Sequence, residues 1–577
     1  MKIKGTSLFV TAMKKEGVDT IFAYPGGYVT DLLDELYDHP GIELVLPRHE
    51  QGLIHAADGY ARATGKVGVC LVTSGPGATN LVTGIATANY DSIPLVCFTG
   101  QVPAHLISND AFQEVDIVGI TQNIAKYSIM VRDRKDLARI IKEAFYIAKS
   151  GKPGPVVVDL PADVMKQIGE TSYPTEVNIR GYKPNQGVHM GQLKKAIALL
   201  KNAKKPLFLI GGGVNIAHAM EEMTELAEKA DVPVVTTVMG KGAIATNHPL
   251  YIGNVGMHGS YAANRAVNEC DLLFSIGCRF NDRVTGEIDK YAPQAKIVHI
   301  DIESAAISRN IKVDIPIVAD AKQAIPKIIS HIEPMDHQMW FEAIERWEER
   351  CPVKADVKIL VSPEKVVRTI NEVFRDQDTI ITTDVGQHQM WVSQFIELNE
   401  THRLITSGGL GTMGFGLPSA VGAAIGCPEK TIISVSGDGG FQMNIQELAT
   451  AVNQELPMIV IIFNNNYLGM VRQMQELFYN KRYSITCLRY RKSCKGKCGT
   501  PGYKCPEYTP NFVKVAQAYG MHGIFVKDDS EIEQALRDAD RISKERRQPV
   551  IVEIGIGPYE LVLPMIRGGS SFDDIIL

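Results

Sequence analysis

Short runs of β-branched and apolar residues recur along this chain, each followed by a Gly-rich or polar turn and then by a stretch of helical period. That succession marks parallel βα units, because a parallel strand needs a crossover, usually helical, before the next strand can pair with it. In the first third the runs are Thr20–Ala23, Val67–Val72, Leu95–Phe98 and Val156–Asp159. In the middle third they are Leu207–Ile210, Val232–Val235, Leu272–Ile276 and Lys296–Ile300, and in the last third Thr379–Thr383, Thr431–Val435, Met458–Phe463 and Val550–Ile554. Each set can make one sheet. The sequence therefore predicts an α/β protein of three units, each with a parallel sheet.

Periodicity lapses in the Pro-, Gly- and Asn-rich stretch Thr171–Gly187 and again around Cys351–Pro363, so three Rossmann-like domains are expected at 1–170, 188–350 and 364–577. The 577 residues suit that count at roughly 150 per domain. Apolar residues make up 45% and charged residues 22%, which excludes a disordered chain. With 60 Lys+Arg against 65 Asp+Glu, a net charge of −5 and no basic block, nucleic acid is not an expected partner. No apolar run approaches the roughly 20 residues that cross a bilayer. The N-terminal MKIKGTSLFVTAMKKEG also meets charge too soon for a signal peptide, so a cytoplasmic protein without a membrane partner is expected.

In parallel sheets ligands collect at the carboxyl ends of strands. Thr431–Val435 runs into Ser436-Gly437-Asp438-Gly439-Gly440, and Met458–Phe463 into Asn464-Asn465-Asn466-Tyr467-Leu468-Gly469. The glycines let backbone N–H groups approach a phosphate, while Asp438 and the Asn465 amide offer the hard oxygens that Mg²⁺ takes. Either segment alone is equally an ordinary turn or loop.

A GDG followed by an Asn pair, each closing an apolar strand, resembles the thiamine-diphosphate motif of thiamine-dependent decarboxylases and carboligases. The resemblance implies that Asp438, Asn465 and the Tyr467 carbonyl hold Mg²⁺. It also implies that Glu50, in His49-Glu50-Gln51, is the catalytic glutamate that shares a proton with the cofactor's pyrimidine. The alternative is a first-turn Glu placed for the helix dipole. Further segments narrow the resemblance to the acetohydroxyacid synthase family over nearly the whole chain. They are FAYPGG (Phe22–Gly27), RHEQG (Arg48–Gly52), TSGPGATN (Thr73–Asn80), DAFQE (Asp110–Glu114), GGLGTMGFGLP (Gly408–Pro418), GDGGFQMNIQELAT (Gly437–Thr450), LGMVRQ (Leu468–Gln473) and LPMI (Leu563–Ile566).

By that resemblance Pro76, Asn80, Gly386, Gln387, His388, Gly411, Met413, Gly437 and Gly439 join Glu50, Asp438, Asn465 and Tyr467 around thiamine diphosphate. Gln113 acts in catalysis, and Gly27, Tyr28, Phe112, Met470, Val471 and Met474 line the substrate pocket. RFNDRVTG (Arg279–Gly286), GMHG (Gly256–Gly259) and the glycines Gly211, Gly212 and Gly213 resemble the flavin-binding form of the family. A structural FAD is implied, with Arg180, His258, Gly259, Arg279, Asp301 and Asp320 at its contacts. The glycine triplet alone also reads as a tight packing turn. The implied reaction decarboxylates pyruvate and ligates the hydroxyethyl unit to a second 2-oxoacid, giving 2-acetolactate or 2-aceto-2-hydroxybutyrate. Active sites shared within a homodimer or homotetramer are implied too, as is a small regulatory subunit. Other carboligases and a pyruvate oxidase-type oxidoreductase share the scaffold.

The chain departs from the family at Met474, where a Trp is usual, at Tyr28, where a small residue is usual, and at Asn281, where an acid is common. Cys487, Cys494, Cys498 and Cys505 crowd a basic, Gly-containing insertion at 487–508. Four thiolates there can bind Zn²⁺ or serve redox chemistry, or the segment is a solvated loop of reduced thiols. The scattered Cys70, Cys97, Cys270, Cys278, Cys351 and Cys427 are expected to be buried, inert thiols.

Overall fold

The computed structural model describes residues 2–184, 187–350, 360–494 and 505–577. Three six-stranded sheets, every pair within them parallel, form the three α/β units expected from the runs. From edge to edge the first sheet reads Glu43–Val45, Thr20–Ala23, Gly68–Val72, Leu95–Gln101, Pro155–Pro161 and Tyr127–Met130. The middle sheet reads Tyr251–Asn254, Val234–Thr236, Pro206–Ile210, Leu272–Ile276, Lys296–Asp301 and Ile315–Val318. The last reads His402–Thr406, Thr379–Thr383, Thr431–Gly437, Met458–Asn464, Val550–Gly555 and His522–Val526. Numbered within each unit, the outer two sheets share the order 2-1-3-4-6-5, while the middle one has 3-2-1-4-5-6. A small antiparallel pair, Lys2–Lys4 with Ile168–Glu170, closes the first unit.

The twelve predicted runs are the four central strands of each sheet, and the strands they omit lie at the edges. Central strands such as Gly68–Val72 and Leu272–Ile276 are buried at every position, whereas Tyr127–Met130 buries none and Ile315–Val318 only one. A strand covered on both faces needs an unbroken apolar run; an edge strand does not.

Outer units meet where helix Glu50–Thr64 crosses helix Gly416–Gly426. The backbones approach so closely that a Cβ on Gly59 would stand 2.1 Å from the Ser419 carbonyl oxygen, and one on Gly422 1.8 Å from that of Ala56. Beside the crossing, the Arg62 side chain, 8% exposed, pairs with Asp58 at 2.6 Å and Asp91 at 2.9 Å, and Asp91 accepts the Gly408 and Gly409 N–H groups. Cys70, Cys97, Cys270, Cys278 and Cys427 are buried free thiols, and Cys351 lies outside the described residues.

Candidate active site

Strands Thr379–Thr383, Thr431–Gly437 and Met458–Asn464 lie side by side, with Thr383 opposite Val435 and Gly437 opposite Phe463. Their carboxyl ends thus release Gly386–His388, Asp438–Gly440 and Asn465–Gly469 at one edge, where the strand order reverses. With Met413, Met470 and Val471 these residues, Asn466 apart, line one cleft. Its glycines leave the space: a Cβ on Gly437 would stand 2.9 Å from His388 Nδ1, and one on Gly439 2.7 Å from Leu468 Cδ2.

Asp438 is buried, and its Oδ2 has no hydrogen-bond partner among the described residues. Burial pushes the carboxyl up to about 8, against the opposing pull of the Asn466 and Gly439 backbone. In the same cleft Asn465 Oδ1 accepts from the Tyr467 N–H at 2.9 Å, and its Nδ2 donates to Gln387 Oε1 at 3.3 Å. His388 is buried with Nε2 unpartnered among the described residues, and burial lowers it to about 3, so the ring is neutral. A buried carboxylate oxygen without a partner carries a cost that a bound cation removes. Carboxylate, amide and peptide oxygens are the donors Mg²⁺ prefers, so this cleft fits a Mg²⁺-diphosphate group.

In the first unit Glu50 opens helix Glu50–Thr64 behind His49, whose Nδ1 accepts the Gln51 N–H at 3.1 Å. Glu50 is buried, and its Oε2 accepts from Asn80 Nδ2 at 2.9 Å. A Cβ on Gly26 would stand 2.4 Å from Thr73 Cβ, and one on Gly75 2.8 Å from the Gln113 carbonyl oxygen. The Tyr28 hydroxyl donates to the Phe112 carbonyl at 3.5 Å, while the Phe112 side chain is 81% exposed. Gly27 and Pro76 are exposed on the same set of turns. Among the described residues, none of this group lines the cleft of the last unit. The predicted thiamine-diphosphate residues therefore form two groups in one chain. Gly411 and Met474, the latter half-buried on helix Gly469–Phe478, lie outside the cleft lining.

In the middle unit Gly211–Gly213, His258 and Gly259, Arg279, Asp301 and Asp320 all follow or end strands at one sheet edge, whereas Arg180 is exposed in the irregular segment before that unit. A Cβ on Gly211 would stand 2.1 Å from the Gly277 carbonyl oxygen, and one on Gly213 2.7 Å from Gly277 Cα, so these two glycines serve backbone packing. His258 is lowered to about 4 by burial, partly offset by the Pro564 backbone, and its Nδ1 is unpartnered among the described residues. Burial raises Asp301 to about 6 although it accepts the Glu303 N–H at 2.8 Å. Asp320 and Asn281 cap helices Ala321–Ile329 and Asp282–Thr285. This imidazole nitrogen, unpartnered among the described residues on the turn after the edge strand Tyr251–Asn254, offers a polar contact to a dinucleotide-type group such as FAD.

Two carboxylates that the sequence reading did not single out organise the site. Asp384 accepts the N–H groups of Val385, Gly414 and Gly416 at 2.8–3.0 Å and so seats the loop carrying Met413. Glu447, of the last unit, accepts the Arg48 and His49 N–H groups at 3.1 Å and fixes the turn ahead of Glu50. Glu447 sits inside a quoted motif, but a partner 399 residues away leaves no local signal. The Cys-rich insertion starts at the Asn465–Gly469 loop, since Cys487 bridges Tyr467 in antiparallel fashion. Cys487 and Cys494 are free thiols, and Cys498 lies outside the described residues. Among the described residues no group of three or more His, Cys, Asp or Glu is arranged to hold a metal, and no helix is long and apolar enough to cross a membrane.

Family models match all three units: the thiamine pyrophosphate enzyme N-terminal TPP binding domain at 3–120, the central domain at 193–328 and the C-terminal TPP binding domain at 384–554. The chain is 44% identical to the probable acetolactate synthase large subunit of Methanocaldococcus jannaschii, with 100% of this chain and 95% of that protein covered. It is 43% identical to the acetolactate synthase isozyme 3 large subunit of Escherichia coli, covering 98% and 97%. To the acetolactate synthase large subunit of Haemophilus influenzae it is 41% identical, covering 100% and 98%. With a glycine-lined cleft at the switch point of its last sheet and likeness along its whole length, this chain belongs to the acetolactate synthase large-subunit family of thiamine-diphosphate enzymes.

Proposed function

We propose that this protein decarboxylates pyruvate and ligates the two-carbon unit to a second 2-oxoacid, the first common step of branched-chain amino-acid biosynthesis. The observation that carries the reading is the buried Asp438 oxygen, unpartnered among the described residues, in the same glycine-lined cleft as Asn465 and Tyr467, in a chain of this family. Thiamine diphosphate supplies, when bound, the electron sink that lets a 2-oxoacid lose CO₂. Asp438, Asn465 and the Tyr467 carbonyl would hold Mg²⁺ and the diphosphate end. Glu50, held by Asn80, supplies a buried carboxyl for proton exchange, and Gln113, Phe112, Tyr28 and Gly27 surround the substrate. Met470, Val471 and Met474 present the acceptor side.

The separation of the two residue groups supports a site completed by a second copy of the chain, hence a homodimer or larger. A small regulatory subunit is a proposed partner on the strength of the family name "large subunit". FAD in a structural role is supported by the unpartnered His258 Nδ1. For Cys487, Cys494, Cys498 and Cys505 a Zn²⁺ or redox role rests on their crowding into one short stretch, and zinc and iron analysis of protein purified without chelator tests it.

Incubation with pyruvate, thiamine diphosphate, Mg²⁺ and FAD, followed by mass spectrometry of products, tests the reaction. Acetolactate is expected, with near-complete loss in Glu50→Gln; acetate or acetyl phosphate with flavin reduction would assign the oxidase chemistry instead. Met474 bears on the acceptor. A flexible thioether discriminates one methylene weakly, by at most about 1–3 kcal/mol. Competition between pyruvate and 2-oxobutyrate is therefore expected to show little bias, and a strong bias toward 2-aceto-2-hydroxybutyrate would refute this role for Met474.

A further inference from the structure

Helix Gly469–Phe478 leaves the metal loop and buries Arg472, which is only 2% exposed. Its guanidinium carbon lies 4.5 Å from the ring centre of Tyr483, 4.7 Å from that of Tyr559 and 5.2 Å from that of Tyr467. Glu476 approaches it at 3.7 Å, too long for a hydrogen bond, and accepts instead from the Tyr483 hydroxyl. Nε and Nη2 of Arg472 have no hydrogen-bond partner among the described residues. This cation is held mainly by aromatic faces.

The three rings belong to three separate segments. Tyr467 is in the metal loop, Tyr483 in the stretch that leads to Cys487, and Tyr559 in the C-terminal tail. Both covering segments also pair with the site itself. Leu468 N–H donates to the Thr486 carbonyl and Leu488 N–H to that of Asn466, each at 2.9 Å. Gln473 exchanges hydrogen bonds with Val562 at 2.8 and 3.0 Å, and Gln387 Nε2 donates to the Glu560 carbonyl at 2.8 Å. Arg472 is where the loop, the leading stretch and the tail meet on one charge.

We infer that Arg472 is a positioning residue: its charge, shared among Tyr467, Tyr483 and Tyr559, makes the metal-loop geometry depend on docking of the 479–488 stretch and the C-terminal tail. The inference rests on the reading of Tyr467 as a Mg²⁺ ligand. The test is a Mg²⁺ titration of the full-length protein with saturating thiamine diphosphate, followed by tryptophan fluorescence, since Trp391 lines the cleft. Limited proteolysis of the 479–494 stretch and the tail accompanies it.

Arg472→Met is expected to raise the half-saturating Mg²⁺ concentration about tenfold, to lower kcat at saturating Mg²⁺ much less, and to speed cleavage of both segments. Arg472→Lys, which keeps a cation over the rings, is expected to recover part of each effect. Unchanged half-saturation and cleavage in Arg472→Met would overturn the inference. Should that variant not fold, Tyr559→Leu carries the test, because a change confined to the tail must then weaken Mg²⁺ binding. Asp438→Asn separates the two readings: if it titrates like the native protein, the metal assignment falls, whereas a lost response there with a normal Arg472→Met removes only the coupling.

Discussion

The last and middle sheets both place glycines at the point where strand order reverses, yet they use them differently. In the last sheet Gly437 and Gly439 keep side chains out of a cleft that holds an Asp438 oxygen and a neutral His388 nitrogen, both unpartnered among the described residues. In the middle sheet Gly211 and Gly213 are pressed against Gly277, and the glycine is consumed by backbone contact. A glycine-rich turn after a parallel strand thus does not by itself mean a ligand. Unsatisfied buried polar atoms beside it distinguish a cradle from a packing joint.

Substitutions that treat the two turns alike should behave oppositely. Asp438→Asn is expected to cut activity by roughly 100-fold or more by removing the proposed metal ligand, while the Tm of the cofactor-free protein changes little, since Asn keeps an acceptor for the backbone N–H groups and the changed Oδ2 has no partner among the described residues. A large fall in that Tm would mean the carboxylate is structural. Gly211→Ala should do the reverse: its Cβ meets backbone atoms at 2.1–2.6 Å, so the turns must separate at a cost of about 3 kcal/mol, read from denaturant unfolding with and without FAD. A stable variant that merely loses FAD would place the flavin, and not packing, against this turn.

The third effect is smaller and depends on pH. His299, in the Lys296–Asp301 strand, is buried with its Nε2 3.8 Å from Asp301 Oδ2, and burial, partly offset by the Cys278 backbone, lowers it from 6.5 to about 4. Because the folded state disfavours the imidazolium, the associated stability is present in full above pH 6.5 and is lost as pH falls toward 4. His299→Leu should flatten that part of the stability profile by on the order of 2–3 kcal/mol at the acid end. An unchanged slope between pH 6.5 and 4 would show that His299 finds a partner in solution.

The central strands were legible because burial on both faces demands continuous apolar residues, as in Leu272–Ile276. Edge strands such as His402–Thr406 and His522–Val526 were not, since each carries exposed or half-buried positions. The loops that form the cleft were legible from Asp438 and Asn465, whose residue types and strand-end positions carry the chemistry. Asp384, Glu447 and Arg472 were not, because their partners are backbone groups and rings brought in from distant segments.

By itself the sequence determined the number of units, the parallel character of their sheets and the edge where chemistry gathers, since period and strand-end residue type are local properties. Only the tertiary structure decided which glycines open a cleft and which close a contact. It alone also showed that the Glu50 group does not line the cleft that holds Asp438. Those outcomes depend on which distant backbone arrives next to a residue, and close packing, not local propensity, fixes that.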